Sequence, residues 1–267
     1  MTADRVKGWV LITGAGSGLG RALADEAARA GHPLILSDRP GADLEAAAAQ
    51  VAARHGVQAV AIAADLADPQ GTDALWQAAA AHRPLHAVIA NAGLGRAGPL
   101  GSDVGGGWAR DRDLIAVNIT ALTRLVSLAA AELRAQGRGH ILTVSSIAAW
   151  GPGPGLASYH ASKAYVLSLS HALRAELRDS GVSVTALCPG PMRTRFFEAA
   201  QIGSVALLRL HPVMAAEQVA ALGWRAMHCG QAVVIPGWRN RLTVWATHLG
   251  YKPLVARVTG WLWHQRG

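Results

Sequence analysis

The stretch "VLITGAGSGLGRALADEAARAG", residues 10–31, decides how this chain is read. A β-branched apolar run empties into a glycine-rich turn, and the turn feeds an alanine-rich helical pattern. Gly14, Gly18 and Gly20 are spaced Gly-x-x-x-Gly-x-Gly between that strand and that helix. Glycines there permit positive φ and let the backbone approach a bulky anion. The helix start offers unpaired N–H groups and a positive dipole end to a pyrophosphate. The spacing is neither Gly-x-Gly-x-x-Gly nor a phosphate loop, since no Gly-Lys-Ser/Thr follows. By itself the turn fits a nucleotide cradle or a plain strand-to-helix connection.

The rest of the chain repeats the same alternation, the signature of βαβ units and a parallel sheet. Strands are predicted at Trp9–Thr13, Pro33–Ser37, Ala59–Ala63, His86–Ala90, His140–Ser145, Ser183–Cys188 and Ala232–Ile235. Helices are predicted near 19–30, 41–55, 70–82, 109–136, 158–180 and 215–228. Continuous apolar strands are expected where helices cover both faces of a sheet. With 267 residues, 51% hydrophobic and 16% charged, the chain can bury a sizeable core, and one domain over 1–267 is the economical reading. Within it, 191–212 reads as a substrate-binding loop and 236–267 as a Trp/Arg-rich extension. Two glycine-proline loops, "GSDVGGGW" (101–108) and "WGPGPGL" (150–156), read as mobile walls around a site.

Composition narrows the function. The net charge is +8, but no run of five basic residues occurs, so nucleic acid is not an expected partner. The densest basic cluster, Arg239, Arg241, Lys252, Arg257 and Arg266, is interleaved with Trp238, Trp245, Trp261 and Trp263. It reads as a solvated tail with its tryptophans folded onto the domain, a weak peripheral membrane contact or a contact with another subunit being the alternatives. Two cysteines, Cys188 and Cys229, read as small buried hydrophobes rather than a disulfide framework. No signal-peptide pattern and no apolar run of about 18–20 residues are found, so a soluble, cytoplasmic protein is expected. No His/Cys/Asp/Glu cluster has ligand spacing, and no metal is expected.

Downstream residues decide the glycine turn. Asp38 lies 18 residues after Gly20, near the separation at which a carboxylate reaches adenine-side ribose hydroxyls. Ser17 stands where a second basic residue would help hold a 2′-phosphate, and a carboxylate repels that phosphate. These favour NAD, with Arg39 keeping NADP as the alternative. Tyr159 and Lys163, four apart, share a helix face, and Ser146 lies 13 residues before Tyr159 at a strand end. An ammonium beside a phenol lowers its pKa towards the range of general acid–base catalysis. Ser146 can steady charge on a carbonyl or carbinol oxygen.

On these residues the chain resembles the short-chain dehydrogenase/reductase family in its classical form, over roughly residues 7–195. Thr13-Gly14-x-x-x-Gly18-x-Gly20 is similar to its cofactor turn, with Ser17 and Leu19 inside it. Asp65, followed by Leu66, matches the acid that contacts adenine. Asn91-Ala92-Gly93 matches the motif closing the fourth strand. Asn118 in "LIAVNITAL" matches the tetrad asparagine, and Pro189-Gly190 with Thr194 resembles the nicotinamide clasp. The resemblance implies a Rossmann-type doubly wound, seven-stranded parallel sheet in three α/β/α layers, and hydride transfer between a nicotinamide and an alcohol or ketone. It implies that Tyr159 is the acid–base, Lys163 its pKa modulator and ribose ligand, Ser146 the substrate-oxygen ligand, and Asn118 the organiser of a water relay. It also implies a homodimer or homotetramer through the helices near 109–136 and 158–180. Substrate contacts are expected from Ser146, Trp150, Leu156, Tyr159, Met192, Phe196 and Phe197, an apolar set that suits a hydrophobic ketone or secondary alcohol. His160 is expected to point away from the site. The alternative reading is a nucleotide-binding regulator or scaffold without turnover.

Overall fold

The computed structural model describes residues 7–41, 43–192 and 213–264, side chains of 262–264 excepted. Its centre is a seven-stranded, all-parallel sheet: β1 Trp9–Thr13, β2 Leu34–Asp38, β3 Ala59–Ala63, β4 Leu85–Ala90, β5 Gly139–Val144, β6 Val182–Leu187 and β7 Val233–Val234. The strand order is β3-β2-β1-β4-β5-β6-β7. This is the Rossmann-like doubly wound arrangement, and the order reverses between β1 and β4, where such sheets bind ligands beyond the strands' carboxyl ends. All seven strands were predicted, with ends shifted by a residue or two.

Apolar runs form these strands because both faces are covered. Val10, Ile12, Leu34 and Leu36 pack on one side with α1 (Gly18–Arg29), α2 (Leu44–His55) and a helix at Ala216–His228, here α7. Leu11, Ile35, Val88 and Ile141 pack on the other with α3 (Gly71–Ala78), α5 (Leu122–Gln136) and α6 (Ala157–Glu176). A period of two therefore operates inside runs that look uniformly apolar. Gly56 and Gly137 end α2 and α5 in the left-handed region, at φ +66° and +70°, where a side chain would be strained.

The predicted helix 109–136 is α4 (Gly107–Ile115), a π-helical turn (Ala116–Ala121) and α5. Contrary to expectation, the helical run Val104–Gln136 has the length and hydropathy of a membrane span. It lies against the sheet, with Leu114, Leu122, Leu125, Val126, Ala129 and Leu133 buried.

The glycine loop 98–107, expected to be mobile, is tied down. The guanidinium of Arg96, 4% exposed, donates to the carbonyls of Gly98, Pro99, Ser102 and Val104 and pairs with buried Asp111 at 3.2 Å. The C-terminal extension forms two helices, α8 (Trp238–Leu249) and α9 (Lys252–His264). Among the described side chains its tryptophans do not fold back: Trp238, Trp245 and Trp261 are 60–70% exposed. Cys188 is buried as expected, whereas Cys229 is exposed at the end of α7.

Candidate active site

A cleft of about 890 Å³ opens at the strands' carboxyl edge, and most of the predicted residues converge on it from six strand ends. Gly14, Ser17, Gly18 and Leu19 line one end, with Asp38, Arg39, Asp65 and Leu66 beyond the ends of β2 and β3. Ala92, Gly93, Ser146, Leu156, Tyr159, Lys163, Pro189, Gly190 and Met192 line the other.

The turn after β1 fits a dinucleotide phosphate. Gly14 and Gly18 have φ of +67° and +55°, and a Cβ on Gly20 would stand 2.1 Å from the Gly14 carbonyl oxygen. Gly20 is thus required by the turn's own packing rather than by ligand contact. Ser17 sits at the N-cap without a side-chain cap bond, so the first N–H groups of α1 are available to an anion in the cleft. Asn91, between β4 and the cleft, donates from Nδ2 to the carbonyls of Thr13 and Gly14 at 2.9 and 3.2 Å. The Asn91-Ala92-Gly93 motif therefore shapes the turn from behind. The Asp38 carboxylate accepts from the Gly16 and Arg39 backbone N–H groups at 2.9 and 2.8 Å. Asp65 Oδ1 accepts from the Ala67 N–H at 2.9 Å.

At the other end, Lys163 Nζ donates to the Val144 carbonyl at 2.9 Å and lies 5.8 Å from the Tyr159 ring centroid. Burial lowers Lys163 to about 8. Burial also raises Tyr159 to about 12, opposed in part by its hydrogen bond with Ser146. This reverses the direction expected from the neighbouring ammonium: desolvation of a phenolate outweighs a cation held near 6 Å. Ser146 Oγ accepts from the Ala148 N–H at 3.1 Å, which fixes its rotamer.

Asn118 does not line the cleft. Fully buried in the π-helical turn, it accepts from the Leu94 N–H at 2.8 Å and donates to the Leu94 carbonyl and to Ser162 Oγ at 2.9 and 3.0 Å. A Cβ on Gly93 would lie 3.2 Å from Lys163 Nζ and 3.3 Å from Asn118 Oδ1, so both groups lie against that glycine. The extra residue of a π turn aims the side chain here, as such turns do at many functional sites.

Two expectations fail on position. Trp150 turns away from the cleft and packs with Leu167, Ala186 and Cys188, edge-on to His248. His160 lines the cleft instead of pointing away, its Nδ1 bonded to the Gly151 carbonyl at 2.7 Å, and burial lowers its pKa. Thr194, Phe196 and Phe197 lie outside the described residues.

Sequence reasoning missed the contribution of α8 and α9. Thr243, Thr247, Val255 and Thr259 line the cleft. Lys252 Nζ donates to the Trp150 carbonyl at 3.0 Å, and Thr259 Oγ1 to the Pro152 carbonyl at 3.1 Å. Buried Asn240 abuts Gly190, where any Cβ would fall 2.5 Å from its amide. The signal was present as a Thr-x-x-x-Thr pair, Thr243 and Thr247, one helical turn apart among exposed tryptophans.

A strand-end glycine cradle facing a Ser, Tyr and Lys across one cleft defines a nicotinamide-dependent oxidoreductase site, and the comparisons agree. The short chain dehydrogenase family model matches residues 8–203, and the chain belongs to this family. It is 35% identical over 225 residues to 1-deoxy-11-beta-hydroxypentalenate dehydrogenase of Streptomyces exfoliatus, covering 81% of this chain and 78% of that one. It is 36% identical over 187 residues to the probable oxidoreductase EphD of Mycobacterium tuberculosis, covering 69% of this chain but spanning about a third (31%) of that protein's length. Among solved structures, a short-chain dehydrogenase from Sphingobium yanoikuyae in complex with NADPH has TM-score 0.79 and 33% identity, covering 86% and 88% of the two chains. A Burkholderia phymatum short-chain dehydrogenase/reductase in complex with NAD has TM-score 0.79 and 26% identity, covering 90% and 92%. A bulky-bulky ketone specific alcohol dehydrogenase from Comamonas testosteroni has TM-score 0.75 and 28% identity, covering 86% of each.

Proposed function

We propose that this oxidoreductase interconverts a hydrophobic ketone and its secondary alcohol, with Tyr159 as the general acid–base. The convergence of Ser146, Tyr159 and Lys163 with the glycine turn on one cleft carries this reading. The nicotinamide, when bound, supplies or accepts the hydride. Tyr159 is held as the neutral phenol, which is the proton donor that ketone reduction needs. Ser146 Oγ donates a hydrogen bond to the substrate oxygen and steadies its developing charge. Lys163 brings a buried cation below the phenol and a ligand for the nicotinamide ribose. Asn118 positions the Leu94 turn and, with Lys163, borders Gly93 at the start of a proton path to solvent. The substrate end is mostly apolar, with Leu156 and Met192 beside Ile147 and Val255, which supports a hydrophobic substrate, as does the likeness to a bulky-ketone enzyme.

NAD(H) is the proposed cofactor over NADP(H), because the Asp38 carboxylate lies at the adenosine end and Ser17 stands where a second basic residue would help Arg39 hold a 2′-phosphate. Asp38→Ala should shift the NADPH/NADH ratio of kcat/KM upwards by about tenfold or more, like other losses of a repulsive charge. An unchanged ratio removes Asp38 from cofactor choice. For the reaction itself, absorbance at 340 nm with a panel of hydrophobic ketones should show turnover, and Tyr159→Phe should cut kcat by about 10²–10⁴. Equal rates in both proteins favour the scaffold reading instead.

The proposed assembly is a homodimer or homotetramer through α5 and α6. A separate weak contact with anionic lipid is proposed for the outer face of α8 and α9, where exposed Trp238, Trp245 and Trp261 stand among Arg239, Arg241 and Arg257. Replacing Trp245 and Trp261 together with Ser should abolish sedimentation with anionic vesicles. Equal sedimentation of both proteins rejects the contact.

A further inference from the structure

Three histidines far apart in the sequence meet at the opposite end of the sheet from the cleft. His32 precedes β2, His86 is the second residue of β4, and His228 closes α7. One ring nitrogen from each lies within 4.8 Å of the others. His140, the second residue of β5, adjoins them, with ring centroids 5.0 Å from His86 and 4.8 Å from His228. Trp224 closes one side at 4.4 Å from the His228 ring.

The hydrogen bonds fix how these rings present themselves. His32 Nδ1 donates to the Gly8 carbonyl at 3.0 Å and His228 Nδ1 to the Trp224 carbonyl at 2.9 Å. Each bond assigns the proton to Nδ1 and leaves a lone pair on Nε2, the outer-sphere arrangement of metal-bound imidazoles. His140 is anchored beside them by a hydroxyl. Its Nδ1 lies 2.7 Å from Ser183 Oγ, which donates to the Met227 carbonyl at 3.4 Å. His86 Nε2 stands 3.0 Å from His228 Nε2, so a proton or a shared cation must separate two lone pairs there. Two nitrogens bound tetrahedrally at about 2.0–2.1 Å lie roughly 3.3 Å apart, close to this spacing.

We propose that His32, His86 and His228 bind one divalent transition-metal ion of the zinc class, with water in the remaining position and His140 supporting the site from the side. Ligand type selects this class. Imidazole suits zinc, cobalt, nickel and copper, while the absence of a carboxylate from the trio disfavours calcium and magnesium. Lys7 and Arg138 stand nearby and oppose a cation, which limits affinity without changing its class. His228 is exposed, which opens the site to solvent. The bound ion would join the loop before β2, strand β4 and the end of α7, stabilising the fold at the edge opposite the chemistry.

The test uses the full chain without a histidine tag, stripped with a chelator and titrated with Co²⁺, then competed with Zn²⁺. One equivalent per chain, with the intense visible absorption of low-coordinate cobalt and a rise in Tm, is expected. His228→Ala, a change at an exposed helix end, should weaken binding by about tenfold or more while turnover stays at the wild-type level. His86→Ala should do the same, with near-ultraviolet circular dichroism reporting its fold. Absence of cobalt absorption by the wild type, or equal binding by wild type and His228→Ala, overturns the site.

Discussion

Lys163 shows what a single residue gives up to sit in the site. It is 4% exposed, and burial lowers it to about 8. It is therefore charged below that pH and neutral above it. Because kcat/KM for the cofactor reports the free enzyme, it should fall as pH rises through about 8, with the slope of one proton. Lys163→Arg, which stays protonated, should lose this limb, and a rate profile flat to pH 10 in the wild type contradicts it. Tyr159, raised to about 12, contributes no limb in that range. The pairing of Tyr159 with Lys163 was legible from a spacing of four, but the direction of the tyrosine's shift was not, because burial outweighs neighbour charge and spacing says nothing of burial. Gly20 carries a sharper expectation. Its Cβ would stand 2.1 Å from the Gly14 oxygen, so Gly20→Ala must displace the turn. A displacement on the order of 1 Å costs about 10²-fold in rate. Stopped-flow cofactor binding and kcat/KM both report it.

Whole elements followed the sequence where periodicity dominates. The seven strands and the helices covering them come from apolar runs and capping glycines, and their boundaries shift by only a few residues. The exceptions have a physical cause. Nothing in "LIAVNITAL" marks a π turn, because the extra residue is a backbone choice made where Asn118 must reach Leu94. The glycine loop 98–107 looks mobile by composition, yet Arg96, distant from its tip, satisfies four of its carbonyls. The buried Arg96–Asp111 pair makes this element testable. Asp111→Ala leaves a guanidinium uncompensated and should cost about 3–5 kcal/mol in denaturant unfolding. Asp113→Ala, which breaks only the exposed pair with Arg112, should stay within about 0.5 kcal/mol. Equal costs mean that Arg96 is held by its carbonyls alone.

At the scale of the molecule, the two ends of the sheet have separate work. The carboxyl edge carries the cleft, and the amino edge carries the histidine trio. The chain's last helices belong to the first of these, although composition suggested a tail. Their inner faces use threonine and valine, and Trp238, Trp245 and Trp261 point out, so hydropathy alone assigned the faces the wrong way round. Two hydrogen bonds, Lys252 Nζ to Trp150 and Thr259 Oγ1 to Pro152, tie α9 to the 150–154 wall. The Lys252 bond is worth about 0.5–1.5 kcal/mol, and the single Thr259 hydrogen is shared with the nearer Val255 carbonyl at 2.8 Å, so removing both in Lys252→Ala/Thr259→Ala should favour an open wall by about 1–2 kcal/mol. Neither side chain touches the reacting groups, so kcat should hold while KM for a bulky ketone rises by about 5-fold or more. A small ketone, which needs less of that wall, should lose less. If KM rises equally for both, the helices support the whole site rather than shaping its substrate end. If neither KM moves, the extension does not limit the pocket in solution.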